Sequence, residues 1–160
     1  MSTTDDDDQR VATLQIVGAY QVLAAQKRWD EWIELWAEDG VLEFPYAPAG
    51  RRRAYAGKAD ILAYMTATTN KIAVDSVEHM RVFPMQDPQV AAVEVSITGH
   101  VPTSGAHYDQ SYVLFFEARD GKLHRYREYW NPMVSIDAVG DRETWTNAFG
   151  SPETAAPIRP

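Results

Sequence analysis

The chain has 160 residues and no cysteine, with 15 Lys plus Arg against 23 Asp plus Glu, a net charge of −8 at neutral pH. Without cysteine, disulfide scaffolds, thiolate metal sites and cysteine nucleophiles are excluded. The anionic balance argues against nucleic acid as a partner, because binding it needs clustered cations that displace counterions, and Arg51-Arg52-Arg53 is too short a run to change that. No apolar stretch approaches the ~18 residues of a membrane span, and Met1 to Asp8 lacks the apolar core of a signal peptide. A soluble, cytoplasmic domain with no membrane partner is therefore expected.

Residues 1–8 read as a disordered acidic tail, and 150–160, with three prolines, as a flexible Pro-rich tail. A single domain is expected over 9–149. From Gln9 to Ala37 the pattern is helical. Val11, Leu14, Val17, Gly18, Val22 and Ala25 form one stripe; Trp29, Trp32, Ile33 and Trp36 form a second, after a break near Lys27 to Asp30. Glu38-Asp39-Gly40 ends the helix, Gly40 supplying a C-cap with φ > 0. A short strand, Val41–Phe44, precedes a Pro-rich loop, and a second helix runs from Lys58 to about Asn70. Strand composition then covers Ser76–Phe83, Val90–His100, His107–Ala118 and Lys122–Trp130, with Asp120-Gly121 as a hairpin turn. Helices first and long strands afterwards give an α+β domain with helices on one face of a curved antiparallel sheet.

Polar residues of one parity share a face in such strands. Glu94, Ser96, Thr98 and His100 alternate with Val93, Val95, Ile97 and Gly99, and His124, Tyr126, Glu128 and Trp130 with Leu123, Arg125, Arg127 and Tyr129. Alternation does not say which face meets the helices, so a polar face also fits the wet side of the sheet.

Tyr126-Arg127-Glu128-Tyr129-Trp130-Asn131-Pro132, Leu35 to Pro45 and Arg53 to Ile61 together resemble the SnoaL-like branch of the nuclear-transport-factor-2-like (NTF2-like) superfamily. The resemblance runs from about Arg10 to Pro132. It implies an NTF2-like cone, a curved sheet of mixed order wrapped around the N-terminal helices with one deep pocket, in a homodimer. Members include polyketide cyclases, ketosteroid isomerase, limonene-epoxide hydrolase, dehydratases and binding domains, so the fold leaves the function open.

The isomerase carries its base where this chain has Phe44; its helix tyrosine matches Tyr20, and its protonated aspartate falls near Tyr112. The hydrolase carries an acid where this chain has Glu128, in Arg127-Glu128-Tyr129-Trp130, but its partner arginine has no counterpart. The same superposition puts Glu94, Ser96, Thr98 and His100 in the cavity with Tyr126, Trp130 and Tyr64.

The resemblance thus implies Glu128, Tyr46, His100 and Glu94 as catalytic residues. Tyr20, Trp36, Phe44, Tyr64, His79, Tyr112, Tyr126 and Trp130 would contact substrate. A carboxylate, an imidazole and phenols in an apolar cone suit proton transfer without a cofactor. The expected function is aldol-type or epoxide-opening ring closure, or isomerisation, of a small hydrophobic or polyketide-like substrate in secondary metabolism. Epoxide hydrolysis or dehydration on the same scaffold, and ligand binding without conversion, are the alternatives. A structural ion pair of Glu128 with Arg81 or Arg125 would speak against catalysis. The scattered histidines offer no metal-ligand spacing, and no dinucleotide, P-loop or serine-hydrolase motif occurs.

Overall fold

A computed structural model describes residues 3–149; the 150–160 segment lies outside the described residues. Helix α1 (Thr3–Ala25) begins six residues earlier than its apolar pattern suggests. Asp5 and Asp6 occupy its first turn, where the helix dipole favours negative charge, so the aspartates expected as a tail extend the helix. The buried stripe is also rotated: Thr13, Ile16, Val17 and Tyr20 face the sheet, while Val11 and Val22 are more than half exposed. Thr13 is tolerated there because its hydroxyl reaches the carbonyls of Gln9 (3.0 Å) and Pro88 (2.8 Å).

The chain breaks where Lys27 adopts φ 54°, then forms the short α2 (Trp29–Ile33). Trp36 does not continue that helix. It starts β1 (Trp36–Glu43), and Glu38-Asp39-Gly40 lies within the strand rather than capping a helix. The pairing register shifts between Trp36 and Val41, and Gly40 sits in that irregularity. A Cβ on Gly40 would lie 2.8 Å from the Trp36 ring and 3.1 Å from the Ala37 carbonyl oxygen. Close approach, not a left-handed backbone, requires glycine there.

The remaining elements are β2 (Ala54–Ala56), α3 (Lys58–Thr68), β3 (Ala73–Pro84), β4 (Val90–His100), β5 (Gln110–Arg119), β6 (Lys122–Trp130), α4 (Pro132–Val139) and α5 (Arg142–Phe149). β4 and β6 have the limits read from the sequence, and β3 is longer. β5 starts three residues later than expected, and α4 and α5 were not anticipated. The strands form one curved, open sheet in the order β2-β1-β6-β5-β4-β3. Only the β1–β6 pairing is parallel, so the sheet is mixed. Asp120 (φ 52°) and Gly121 (φ 70°) close the β5–β6 hairpin with the two positive φ values of a type I′ turn. None of the helices is long and apolar enough to cross a membrane among the described residues.

Cross-strand register assigns the faces. Val93, Leu114 and Glu128 are in line, as are Val95, Tyr112 and Trp130, and these point toward the helices. Glu94, Val113 and Tyr129 are in line on the opposite, outer face. Between sheet and helices, Trp32, Trp36, Phe116, Ile61 and Leu123 are completely buried. Tyr20 packs among them, 5.1 Å from the rings of Trp32 and Phe116 and stacked at 4.9 Å on Tyr126.

Gly99 in β4 is the tightest approach: an added Cβ would stand 2.4 Å from the Ala73 carbonyl oxygen of β3. Since that neighbour is backbone, Gly99→Ala must displace the strand pair. We expect a loss of about 1–3 kcal/mol in urea unfolding, and a change below about 0.5 kcal/mol would show that β3 shifts freely.

Candidate functional site

Alternation along β6 turns Tyr126, Glu128 and Trp130 inward. Beyond Tyr126 the aromatic core ends and a cavity of about 180 Å³ opens. Its walls come from separate parts of the chain. Phe44 follows β1, Arg51 comes from the β1–β2 loop, Tyr64 from α3, Glu128 and Trp130 from β6, and Trp145 and Phe149 from α5. Trp145 is completely buried, with its indole N–H donating to Ser135 Oγ at 2.9 Å and its ring 6.1 Å from Trp130. The C-terminal helices therefore complete the wall of the cone. Arg142 ties α5 to the β1–β2 loop through the Ala49 carbonyl at 3.3 Å.

Among the described residues Glu128 is the one carboxylate in this cavity wall. It accepts a hydrogen bond from the Tyr126 hydroxyl at 2.8 Å. Burial raises its pKa above the ordinary carboxyl value, opposed by the Tyr126 bond and the positive charge of Arg51. Neither arginine expected as a structural partner reaches it. Arg125 is bonded to Glu43 at 2.6 Å, and Arg81 lies over the Phe83 ring at 4.6 Å.

Arg51 is the residue sequence reasoning missed. It is 5 % exposed, with its guanidinium 4.7 Å from the ring centroid of Phe44, 5.3 Å from Trp145, 5.5 Å from Trp130 and 5.6 Å from Tyr64. Nη2 donates to the Tyr64 hydroxyl. Nε is buried without a hydrogen-bond partner, and no carboxylate among the described residues lies within ion-pair distance of it. In the sequence the run Arg51-Arg52-Arg53 reads only as a basic patch, too short to bind nucleic acid. The preceding Pro48-Ala49-Gly50 turn, with Gly50 at φ 90°, was the available signal that the chain folds back here.

The expected site residues divide in two. Glu128, Phe44, Tyr64 and Trp130 line the inner cavity. Tyr20, Trp36 and Tyr126 are packed core instead, their rings filling the deep end of the cone. Burial raises the pKa of the Tyr20 and Tyr126 hydroxyls. Tyr112 stands beside the cavity, its hydroxyl 3.0 Å from that of Tyr108.

Tyr46, His79, Glu94 and His100 do not meet Glu128. Tyr46 is 63 % exposed, edge-on to Tyr129 at 5.1 Å. With His79, Glu94 and Ser96 it borders a shallow trough of about 570 Å³ on the outer sheet face. His79 Nε2 is 4.0 Å from Glu94, and His100 Nδ1 is 2.9 Å from Asp75. Ser96 and Thr98 bond across the strands to Ser111 and Ser76, each at 2.9 Å. The polar parity of β4 is its wet side, so the superposed phase of that strand was inverted. Besides the inner cavity and the outer trough, a third hollow of about 280 Å³ shares Tyr64, Thr68 and Phe149 with the inner cavity. Among the described residues no cluster of His, Asp or Glu could hold a metal ion.

Comparison with known proteins agrees with this architecture. A Bacillus subtilis (strain 168) protein, "Uncharacterized protein YesE", is 39% identical over 138 residues, covering 86% of this chain and 92% of its own. A Pseudomonas aeruginosa protein, "Uncharacterized PhzA/B-like protein PA3332", is 33% identical over 112 residues, 70% of this chain and 79% of its own. The crystal structure of a "Putative Isomerase" from Bacillus subtilis superposes with a TM-score of 0.74 at 34% identity, covering 89% of this chain and 98% of that one. A phenazine biosynthesis-related protein of Pseudomonas aeruginosa shares the fold at 21% identity, with a TM-score of 0.72 over 88% of this chain and 93% of that one. A family model described as a SnoaL-like domain matches residues 17–126. Family match and architecture coincide, and the chain belongs to the SnoaL-like family, with an NTF2-like fold.

Proposed function

We propose that this protein is an acid–base enzyme that cyclises or isomerises a small organic substrate, with Glu128 transferring the proton and no cofactor taking part. One observation supports the reading above the others. Glu128 is a carboxylate with a raised pKa, aimed into an aromatic cavity and held by a single hydrogen bond from Tyr126. A carboxyl whose pKa moves toward neutrality is both a stronger base when ionised and a usable acid when protonated.

The neighbours complete the set. The Tyr64 hydroxyl accepts from Arg51, which leaves its own proton for a substrate oxygen. The guanidinium behind it favours negative charge developing on that oxygen. Glu128 then removes a proton from carbon or hydroxyl and returns it elsewhere on the same substrate, so atoms and charge balance without a second reactant. The solved structures that share the fold include two named "putative polyketide cyclase" at about 20% identity, which is compatible with ring closure.

With Glu128 as the base of the first step, kcat/KM should rise with pH through a single ionisation above the usual carboxylate value. In Glu128→Gln that acid limb should vanish from the residual activity. A limb that survives the substitution assigns the base elsewhere.

A further inference from the structure

We infer that the inner cavity takes a substrate bearing a carboxylate, and that Arg51 binds it. The inference rests on the reading of Glu128 as the proton-transferring group and adds the substrate class. It starts from an imbalance. A buried guanidinium is costly in lost hydration unless anions or acceptors take up its donors. Arg51 carries five N–H donors. Among the described residues the Tyr64 hydroxyl accepts from one of them, the Tyr55 hydroxyl is a second hydrogen-bond partner, and Nε is buried with no acceptor.

The surrounding rings offset part of the cost through cation–π attraction. They enclose the group, whose carbon lies 4.7 Å from the Phe44 centroid and 5.3 Å from that of Trp145. Ring faces, however, accept no in-plane N–H. The in-plane edge of a guanidinium is the part that matches a carboxylate bidentately. Arg51 borders the cavity, and its terminal N–H groups, rather than the sealed Nε, are the donors that can meet an anion there.

Charge and size narrow the ligand further. Among the described residues the cavity wall holds one cation, Arg51, and one carboxyl group, Glu128, and the two do not form an ion pair. A monoanion neutralises Arg51. A phosphate dianion would leave excess negative charge beside Glu128 in a poorly hydrated space, which disfavours phosphate esters. The volume of about 180 Å³ lies below the ~300–1,000 Å³ of common ligand pockets. That space fits a single ring, and Phe44, Tyr64 and Trp130 supply faces to stack on it. The substrate class is thus a small cyclic or ring-forming monocarboxylic acid, its carboxylate on Arg51 and its reacting carbon toward Glu128.

Benzoate is the probe, with benzamide as its neutral isostere. Binding is followed by calorimetry and by the fluorescence of Trp130 and Trp145. Wild-type protein should bind benzoate about 10- to 100-fold more tightly than benzamide, the ratio expected of charge-assisted hydrogen bonds. Arg51→Met should abolish that preference while leaving benzamide unchanged, and Arg51→Lys should restore part of it. Equal binding of the two probes by wild-type protein, or no benzoate binding at about 10 mM, overturns the inference even if Arg51→Met fails to fold. An undiminished benzoate preference in Arg51→Met also overturns it. Binding is read without turnover, so these failures leave the role of Glu128 standing. A Glu128→Gln protein that keeps its rate would leave the Arg51 site standing.

Discussion

Glu128→Gln is expected to lower kcat by about 10²–10⁴, the range for removal of a positioned acid–base group, and at the same time to raise stability at neutral and alkaline pH. The two effects share one cause. Burial lifts the Glu128 carboxyl above its ordinary value of 4.5, so the folded state holds that proton more tightly than the unfolded chain does. Its contribution to stability is therefore full below the unfolded pKa and is lost as pH rises through the higher folded one.

Glutamine keeps an oxygen to accept from Tyr126 and has no charge to bury. The Tm of the variant should exceed that of wild type at pH 8, and the two should converge near pH 4. Thermal unfolding at both pH values, alongside turnover, checks both arms. A variant that is slower and also less stable at pH 8 would mean that the substitution damages the cavity, and the loss of rate could not then be assigned to proton transfer.

Arg125→Met is expected to be the most destabilising change on the outer face of the sheet. Glu43 is almost fully buried, with a side chain 5% exposed, and its carboxylate receives Arg125 Nε at 2.6 Å and Nη2 at 3.2 Å. That two-pronged contact makes the burial tolerable. Removing the arginine strands a desolvated charge, which costs about 3–5 kcal/mol for buried pairs. Because the Arg125 side chain is 25% exposed, the lower part of that range is expected. Replacing both residues, Glu43→Leu with Arg125→Met, should recover much of the loss, since no charge then remains to be solvated. Urea unfolding of the single and double variants gives the comparison. A single variant within about 1 kcal/mol of wild type would show that water reaches Glu43.

The adjacent β6 residues make an instructive contrast. Arg125 neutralises a carboxylate on the outer face, while Glu128, three positions on, has no such partner inside. One glutamate is held as a structural ion. The other is left where its proton affinity is sensitive to whatever enters the cavity, and that difference separates the stability prediction from the catalytic one.

Several features were legible in the amino-acid sequence because they depend on neighbours in the chain. The limits of β4 and β6, the Asp120-Gly121 turn, the start of α3 after Gly57 and the shared face of Tyr126, Glu128 and Trp130 all follow from local propensity and period-two alternation. So did Glu128 as a candidate, since a charge amid aromatics at one strand parity is costly without a purpose. Trp36 was misread as helical because its spacing from Trp29, Trp32 and Ile33 fits a helix turn as well as it fits a strand entered at that residue.

Alternation carries no sign. It says that Glu94, Ser96, Thr98 and His100 share a face, not which face. That choice was made by pairing Val93 with Leu114 and Leu114 with Glu128, contacts between residues 14 to 21 apart in the chain. The environment of Arg51 is more distant still, assembled from Phe44, Tyr64, Trp130 and Trp145 on four separate segments. The sequence by itself determined the family, the limits of β4 and β6 and one catalytic candidate. Tertiary structure alone decided what faces that candidate, because the burial of a charge and the company of its donors are properties of packed surfaces that no local pattern encodes.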